Sequence, residues 1–294
     1  NPVSYIRSSA YRTGSYQCGK PVEVAMTEQM LTENKILEKR TGSWAGKPVL
    51  VLEETDSTNI QCAKLAAEGW PEGALVAAER QWAGKGRRGR TWVSPSGTGI
   101  WMSLLLRPHI PADKASMLTL VAALAVQKGI QEETGLASEI KWPNDLVIGQ
   151  KKICGILTEM RSRENQPEYV IVGIGINANM TEFPEEIRET ATSLYLEKGE
   201  QADRENVIAK IMAAFELYYK KFLETLDLSL LKEEYDSRLI NLGRQVTVLA
   251  PSGSYSGICR GIDMEGELLV DLADGQQKRV SSGEVSVRGV YGYV

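Results

Sequence analysis

The sequence predicts an α+β fold in two unequal parts, and three observations carry that reading. At 294 residues, 43% of them apolar and 24% charged, the chain is long enough to bury one large core or two unequal ones. Up to about Leu242, helical periods alternate with short runs of strand character, and two apolar runs stand side by side as neighbouring strands do. After Gly243 the texture changes to short alternating strands separated by Gly and Asp, the pattern of a small barrel of about fifty residues. The two parts are a main domain over 46–242 and a small C-terminal domain over 243–294, preceded by an N-terminal extension over 1–45.

Residues 1–27 mix Ser, Tyr, Arg, Gly and Pro without a period and specify no element. From Thr27 to about Lys39 the pattern is that of a short amphipathic helix resting Leu31, Ile36 and Leu37 on a core. Gly46 and Pro48 introduce a strand over 49–54. Residues 56–69 open with capping residues, continue with Ile60, Ala63, Leu65 and Ala67 in a helical pattern, and stop at Gly69. Strands follow over 74–81 and 97–108, the second ended by Pro108, with a glycine-rich basic loop between them. A long helix over 112–134 leads to SEIKWPND, where Ile140 and Trp142 read as strand and Pro143 stops it. Residues 151–162 and 167–179 are two apolar strands joined by a polar turn, both suited to the middle of a sheet. Helices over 204–226 and 229–239 complete the main domain.

Composition excludes several chemistries. His109 is the single histidine, so Ser-His-Asp, Cys-His and multi-histidine metal sites would all have to run through one loop residue, and it reads as a surface group. Cys18, Cys62, Cys154 and Cys259 form no CxxC pair and have no histidine near them, which argues against a zinc site or a disulfide framework and fits thiols in a reducing cytoplasm. No apolar run has the roughly eighteen residues of a membrane span, and the start lacks the charge-then-apolar order of a signal peptide. With a net charge of −4, nothing global points to nucleic acid or a membrane surface, and any attraction for anions must be local.

The local exception lies between the second and third strands. Gly84, Gly86 and Gly89 match G-x-G-x-x-G, but the dinucleotide fingerprint needs a helix directly afterwards to face a pyrophosphate. Here TWVSPSGTG leads into another strand. What remains is Lys85, Arg87, Arg88 and Arg90 within six residues, spaced by glycines that let backbone amides approach a ligand and flanked by Trp82 and Trp92. Such a stretch repels itself until an anion arrives. It reads as a cradle for phosphate and carboxylate, mobile when empty, more than as a solvated charge run.

The segment GKGRRGRTW (84–92) closely resembles the GRGRRGR stretch of the biotin protein ligase family. TDSTN (55–59), KWPNDL (141–146), KKICGIL (151–157) and VGIGIN (172–177) resemble that family's segments in order and spacing, over roughly 47–294. The resemblance implies a mixed sheet flanked by helices and then an SH3-like barrel. It also implies a biotin-[acetyl-CoA-carboxylase] ligase that uses ATP with Mg2+, forms biotinyl-5'-AMP with release of pyrophosphate, and passes biotin to a lysine of a biotin carboxyl carrier protein. Lys85 stands where the family usually has arginine. Affinity would weaken if the guanidinium fork is used and would not change if only the backbone matters.

Site residues follow from the same resemblance. Ser57, Thr58 and Gln81 would hold the ureido head of biotin, with Asn59, Gly84, Lys85, Arg87, Lys152, Gly155 and Gly173 completing that site. Ser57 and Thr58 also stand where a helix is capped, and the two roles can coexist. Arg87, Arg88, Arg90, Trp92, Asn144, Lys152, Gly175 and Asn177 would meet the nucleotide, with Trp92 closing over the ligand and magnesium carried mainly by phosphate oxygens. Lys152 would reach the carboxylate and later the acyl phosphate, Arg87 would offset charge, and Asp145 would orient the acceptor lysine or take its proton. A carboxylate nucleophile is already ionised, so activation needs no general base.

Two rivals stay open at this stage. A lipoate or octanoate ligase of the same fold would have a long apolar channel without ureido partners, and KWPNDL with GKGRRGR speaks for biotin. A ligase that is also a DNA-binding repressor would need a winged helix of about sixty residues. Only about forty-five precede the main domain, so DNA is not an expected partner of the chain as given. A homodimer through an exposed sheet edge is implied by the resemblance alone.

Overall fold

Seven segments between Val49 and Ile176 pair into one sheet, because their aliphatic side chains need cover on both faces. The strands are β1 (Val49–Thr55), β2 (Leu75–Gln81), β3 (Ile100–Leu106), β4 (Glu139–Lys141), β5 (Asp145–Ile148), β6 (Lys151–Arg163) and β7 (Gln166–Ile176), in the spatial order β1-β2-β3-β7-β6-β5-β4. β1 and β2 run parallel and the other neighbours antiparallel, so the sheet is mixed. β3 is buried along its whole length, as a central strand covered on both sides must be. The computed structural model describes residues 30–282 and 286–289, and the extension read over 1–27 lies outside them.

Helices supply the cover: α1 (Glu33–Lys39), α2 (Thr58–Ala67), α3 (Leu118–Thr134), α4 (Leu194–Lys198), α5 (Arg204–Thr225) and α6 (Lys232–Ser237). α3 is apolar nearly all round, with twelve of its seventeen residues buried, and it is enclosed between the sheet and α5. Gly129 allows that closeness, since a Cβ there would lie 2.7 Å from the backbone nitrogen of Ile211. α2 lies on the other face, where Cys62 and Ala66 pack with Val76, Leu105 and Ile171. Beyond α6, β8 (Gln245–Ala250), β9 (Gly253–Ile262), β10 (Leu268–Asp271), β11 (Gln277–Val280) and β12 (Ser286–Gly289) form an antiparallel sheet in the order β11-β10-β9-β8-β12. This is the small all-β part expected from the alternating pattern, and the SH3-like form is what the resemblance implied, with Val246, Val248 and Val270 turned inward.

Several expected elements shift. α1 begins only at Glu33, capped by Thr32; Ile36 is buried, but Leu37 is exposed, because the shorter helix turns one narrow face to α5. The helix expected from Ala112 opens as a 3₁₀ segment (Ala112–Met117), and the α-helix starts at Leu118. Pro143 does not end a lone strand: Trp142, Pro143 and Asn144 form a tight turn that brings Lys141 opposite Asp145, the first residue of β5. The helix read over 229–239 narrows to Lys232–Ser237, and α4 is too short to show a period. His109 is exposed, Cys62, Cys154 and Cys259 are buried and free, and no described helix is long and apolar enough to cross a membrane.

Candidate active site

The N-terminus of α2 comes down onto β7 at Gly173, where a Cβ would lie 2.2 Å from Asn59 Oδ1. Only a glycine lets the helix seat this deeply. Asn59 is pinned there: its Oδ1 accepts from the Ser103 hydroxyl at 2.6 Å and its Nδ2 donates to Glu159 Oε2 at 2.7 Å. Gln81, at the end of β2, accepts from the Thr58 amide at 2.8 Å and donates to Ser94 Oγ at 2.9 Å. Ser57 occupies the N-cap position, yet its hydroxyl makes no capping bond, and its own amide donates to Asp56 Oδ1 at 2.7 Å. The capping alternative therefore does not account for the Ser57 side chain. Ser57, Thr58, Asn59, Gln81 and Gly173 line a narrow cavity of about 50 Å³, together with Lys85.

The basic segment is a hairpin. Lys85 bridges to Thr91, the Gly86 amide donates to the Arg90 carbonyl at 2.7 Å, and the Trp92 amide donates to the Gly84 carbonyl at 2.9 Å. Its tip carries Arg88 and Gly89 in the left-handed region, at φ 58° and 73°. Gly84 lines neither cavity; a Cβ there would sit 2.4 Å from the Trp92 carbonyl, so its service is to let the two arms of the hairpin close. Arg87, Arg88 and Arg90 face a second, wider cavity of about 380 Å³. Opposite them stand Lys141, Asn144 and Asp145, with Asn177 and an apolar wall of Met180, Phe183, Ile187 and Ala191.

The two cavities meet. Gly86, Arg87, Trp92, Asn144 and Lys152 line both. Arg87 donates to Asn144 Oδ1 at 2.9 Å and also to the Ser282 carbonyl of the C-terminal part. Burial lowers the proton affinity of its guanidinium, Asp145 opposes that, and Arg88 and Arg90 add repulsion. The group still carries its charge at neutral pH. Lys152 Nζ lies 2.7 Å from Asp145 Oδ1 and 5.1 Å from the centre of the Trp92 ring. That ring rests on backbone: Cβ atoms on Gly155 or Gly175, which face each other across β6 and β7, would each come 2.7 Å from it. Its indole nitrogen is buried with no hydrogen-bond partner among the described residues. The result is a narrow polar slot and a cationic chamber joined at a point where a guanidinium, an ammonium and an unused N–H converge.

Most of the expected site residues fall on these two cavities. Gly175, expected beside the nucleotide, lines the narrow slot beneath Trp92. Asn177 faces the wide cavity, but its Nδ2 is spent on the Thr192 carbonyl at 3.1 Å, tying β7 to the wall segment. Three contributors escaped the sequence reading. Met180 to Ala191 has no period to announce it, and Arg288 lies in the C-terminal part, far from every motif. Lys141 sat in KWPND in plain view, unread because a lysine on a short strand ordinarily faces solvent.

Comparison with known proteins identifies the family. Residues 51–177 match the model of the Biotin/lipoate A/B protein ligase family, which defines the class. Residues 242–288 match the biotin protein ligase C terminal domain. The chain is 41% identical over 239 residues to the bifunctional ligase/repressor BirA of Bacillus subtilis, covering 81% of this chain and 73% of that protein. It is 33% identical over 267 residues to a biotin--[acetyl-CoA-carboxylase] ligase of Mycobacterium tuberculosis, covering 87% of this chain and 95% of the relative. A biotin protein ligase from Aquifex aeolicus, solved in complex with biotin and ATP, superposes with a TM-score of 0.72 at 34% identity over 83% of this chain and 99% of that one. This chain belongs to the biotin protein ligase family.

Proposed function

We propose that the chain is an ATP-dependent biotin protein ligase, forming biotinyl-5'-AMP and transferring biotin to a lysine of a biotin carboxyl carrier protein. One observation carries the reading: a slot of hydrogen-bonding groups opens into a cationic chamber, and Arg87 and Lys152 line both. The slot offers Ser57, Thr58, Asn59 and Gln81 to a ureido ring, with Gly155 and Gly173 giving room for its body. The chamber offers Arg88 and Arg90 to phosphates and its apolar wall to a purine. A relative solved with biotin and ATP supports the pairing of these ligands.

The chemistry asks little of proton transfer. A carboxylate oxygen attacks the α-phosphorus, and pyrophosphate leaves with the electron pair of the broken P–O bond. Arg87 and Lys152 hold the attacking carboxylate against the phosphate that would otherwise repel it, in a partly desolvated place where such charges act strongly. Trp92, over Gly155 and Gly175, closes the junction and gives its free N–H to the ligand. Magnesium would be carried mainly by the phosphate oxygens of ATP. Asp145, already bonded to Lys152, orients the acceptor amine. Residues 46–242 form the catalytic part and 243–294 the C-terminal part. A cytoplasmic location is a finer reading that rests on the free thiols, and a homodimer one that rests on the family resemblance alone.

Biotin-dependent exchange of labelled pyrophosphate into ATP tests the assignment. Arg87→Ala should lower it by about 100-fold or more, the scale of one preorganised donor. Near-normal exchange in that variant would remove Arg87 from the mechanism, and exchange driven by lipoate or octanoate instead of biotin would overturn the reading of the slot.

A further inference from the structure

Lys141 is a cation of the wide chamber with no part in the chemistry above. It ends β4 and is only 8% exposed. In the ladder it stands directly opposite Asp145, so the two side chains project from the same face of the sheet. Asp145 in turn is ion-paired with Lys152, its Oδ1 lying 2.7 Å from Nζ. The carboxylate thus has an amine on the strand to one side and an amine on the strand to the other. Among the described residues, the charged groups that face Lys141 are Asp145 from β5, Lys152 from β6, Arg288 from β12 and Arg90 from the basic hairpin. Burial, with three cations set against one carboxylate, brings the Lys141 amine down to about 8. It can hold or release a proton near neutrality, which its neighbours Arg90 and Arg288 cannot.

Transfer needs such a group and activation does not. An acceptor lysine arrives as an ammonium and must lose one proton before its nitrogen can attack; a second proton leaves once the new bond has formed. We propose that Lys141 takes the first of these protons, relayed through the Asp145 carboxylate; this rests on the ligase reading given above. While a triphosphate fills the chamber, its negative charge keeps Lys141 protonated. After pyrophosphate departs, the cations around Lys141 outnumber the remaining phosphate charge, and its proton passes to water. The acceptor ammonium then gives a proton to Asp145, and Asp145 gives one to the neutral amine of Lys141. The freed nitrogen attacks the carbonyl carbon of the mixed anhydride. The C–N bond forms, the C–O bond to phosphate breaks, and AMP leaves with that electron pair. The second proton goes from the new amide nitrogen to the departing phosphate or to water.

The test separates a proton-transfer role from a structural one. Lys141→Arg keeps the charge and cannot give up its proton; Lys141→Met removes the amine at similar volume. Each full chain, loaded with biotin and ATP, is mixed in single-turnover experiments with a biotin carboxyl carrier domain or with hydroxylamine, a nucleophile already uncharged at neutral pH. For the unaltered protein, transfer to the carrier should rise with pH through an inflection near 8. Both variants should transfer to the carrier about 100-fold more slowly at neutral pH, the scale of a lost general base, and should lose the inflection. Hydroxamate formation should change by less than about fivefold in both variants, and biotin-dependent pyrophosphate exchange by less than about fivefold in Lys141→Arg, which keeps the charge that the triphosphate meets. Equal losses with both nucleophiles, an inflection kept by either variant, or exchange abolished in both would overturn the proposal. An unaltered protein with no biotin-dependent exchange would instead overturn the ligase reading on which it rests.

Discussion

Replacing Gly173 by alanine tests whether the slot is built by the seating of α2 on β7. The new methyl carbon would fall 2.2 Å from Asn59 Oδ1 and 2.9 Å from its Cγ, so something must move. Asn59 is a poor candidate to yield, because it is buried and holds Ser103 on one side and Glu159 on the other. If it stays, the methyl group overpacks the helix–sheet contact at about 1–3 kcal/mol. If it swings away, it gives up a hydrogen bond to a charged carboxylate, at about 1.5–3 kcal/mol. Both routes predict a loss of similar size, which lowers the melting temperature by about 2–4 °C per kcal/mol for a chain of this length. Ser103 Oγ also lies 2.8 Å from Thr58 Oγ1, and Thr58 is bonded to Gln81, so the disturbance runs along the polar lining of the slot. Biotin affinity should therefore fall about 10- to 100-fold, or 1.4 to 2.8 kcal/mol. ATP affinity should hold, since Gly173 lines only the narrow cavity. Calorimetric titration with each ligand, beside a thermal melt, reads all three quantities. Adding Asn59→Ala removes the atoms struck, so the stability increment from Gly173→Ala should vanish in that background. A penalty that persists there, or unchanged biotin binding in the single variant, would refute the steric argument.

Three further expectations follow from the same geometry. Lys152→Ala should leave adenylate formation weak even at saturating ATP, since the junction loses its one ammonium bonded to Asp145; single-turnover rates equal to those of the parent would contradict this. Glu79→Gln should destabilise the fold by about 3–5 kcal/mol, because Glu79, fully buried, pairs with the buried guanidinium of Arg204 at 2.9 Å, and the variant breaks that buried ion pair. It also accepts from the Leu31 and Gly97 amides, and denaturant titration would read the loss. Lys141→Met should be more stable than the parent by about 3 kcal/mol at neutral pH, because an amine at about 8 in the fold against an ordinary 10.5 penalises the native state wherever it is protonated. The unfolded chain holds more protons between those two values, so the parent gains stability as pH rises through that window and the difference between the two proteins should close by its upper end. Equal denaturation midpoints at neutral pH would contradict the assigned burial cost.

What could be read from the residues is what is decided by near neighbours in sequence. The glycine spacing in GKGRRGR, the single histidine and the change of texture after Gly243 are local facts, and they led to an anion cradle, to chemistry without histidine and to a second sheet. The placement of Gly84 shows where that reading stops: a glycine inside a binding motif serves its own hairpin, because the atom it must avoid is the Trp92 carbonyl and not a ligand. Lys141 and Arg288 escaped for a related reason. The surroundings of a lysine depend on what is folded against it, and here Arg288 of β12, some 145 residues further along the chain, shares its cavity. The platform beneath Trp92 carries the point furthest. Gly155 and Gly175 make a flat floor only because the β6–β7 register sets one opposite the other. A slip of one residue would oppose Gly155 with Ile174 or Ile176 and turn every side chain of the slipped strand to the other face. The branched side chain would then occupy the place of the indole, and the cavities would be separated at the point where a carboxylate and a phosphate have to meet. Neither glycine declares this alone, and it follows from a pairing that the whole length of the hairpin enforces.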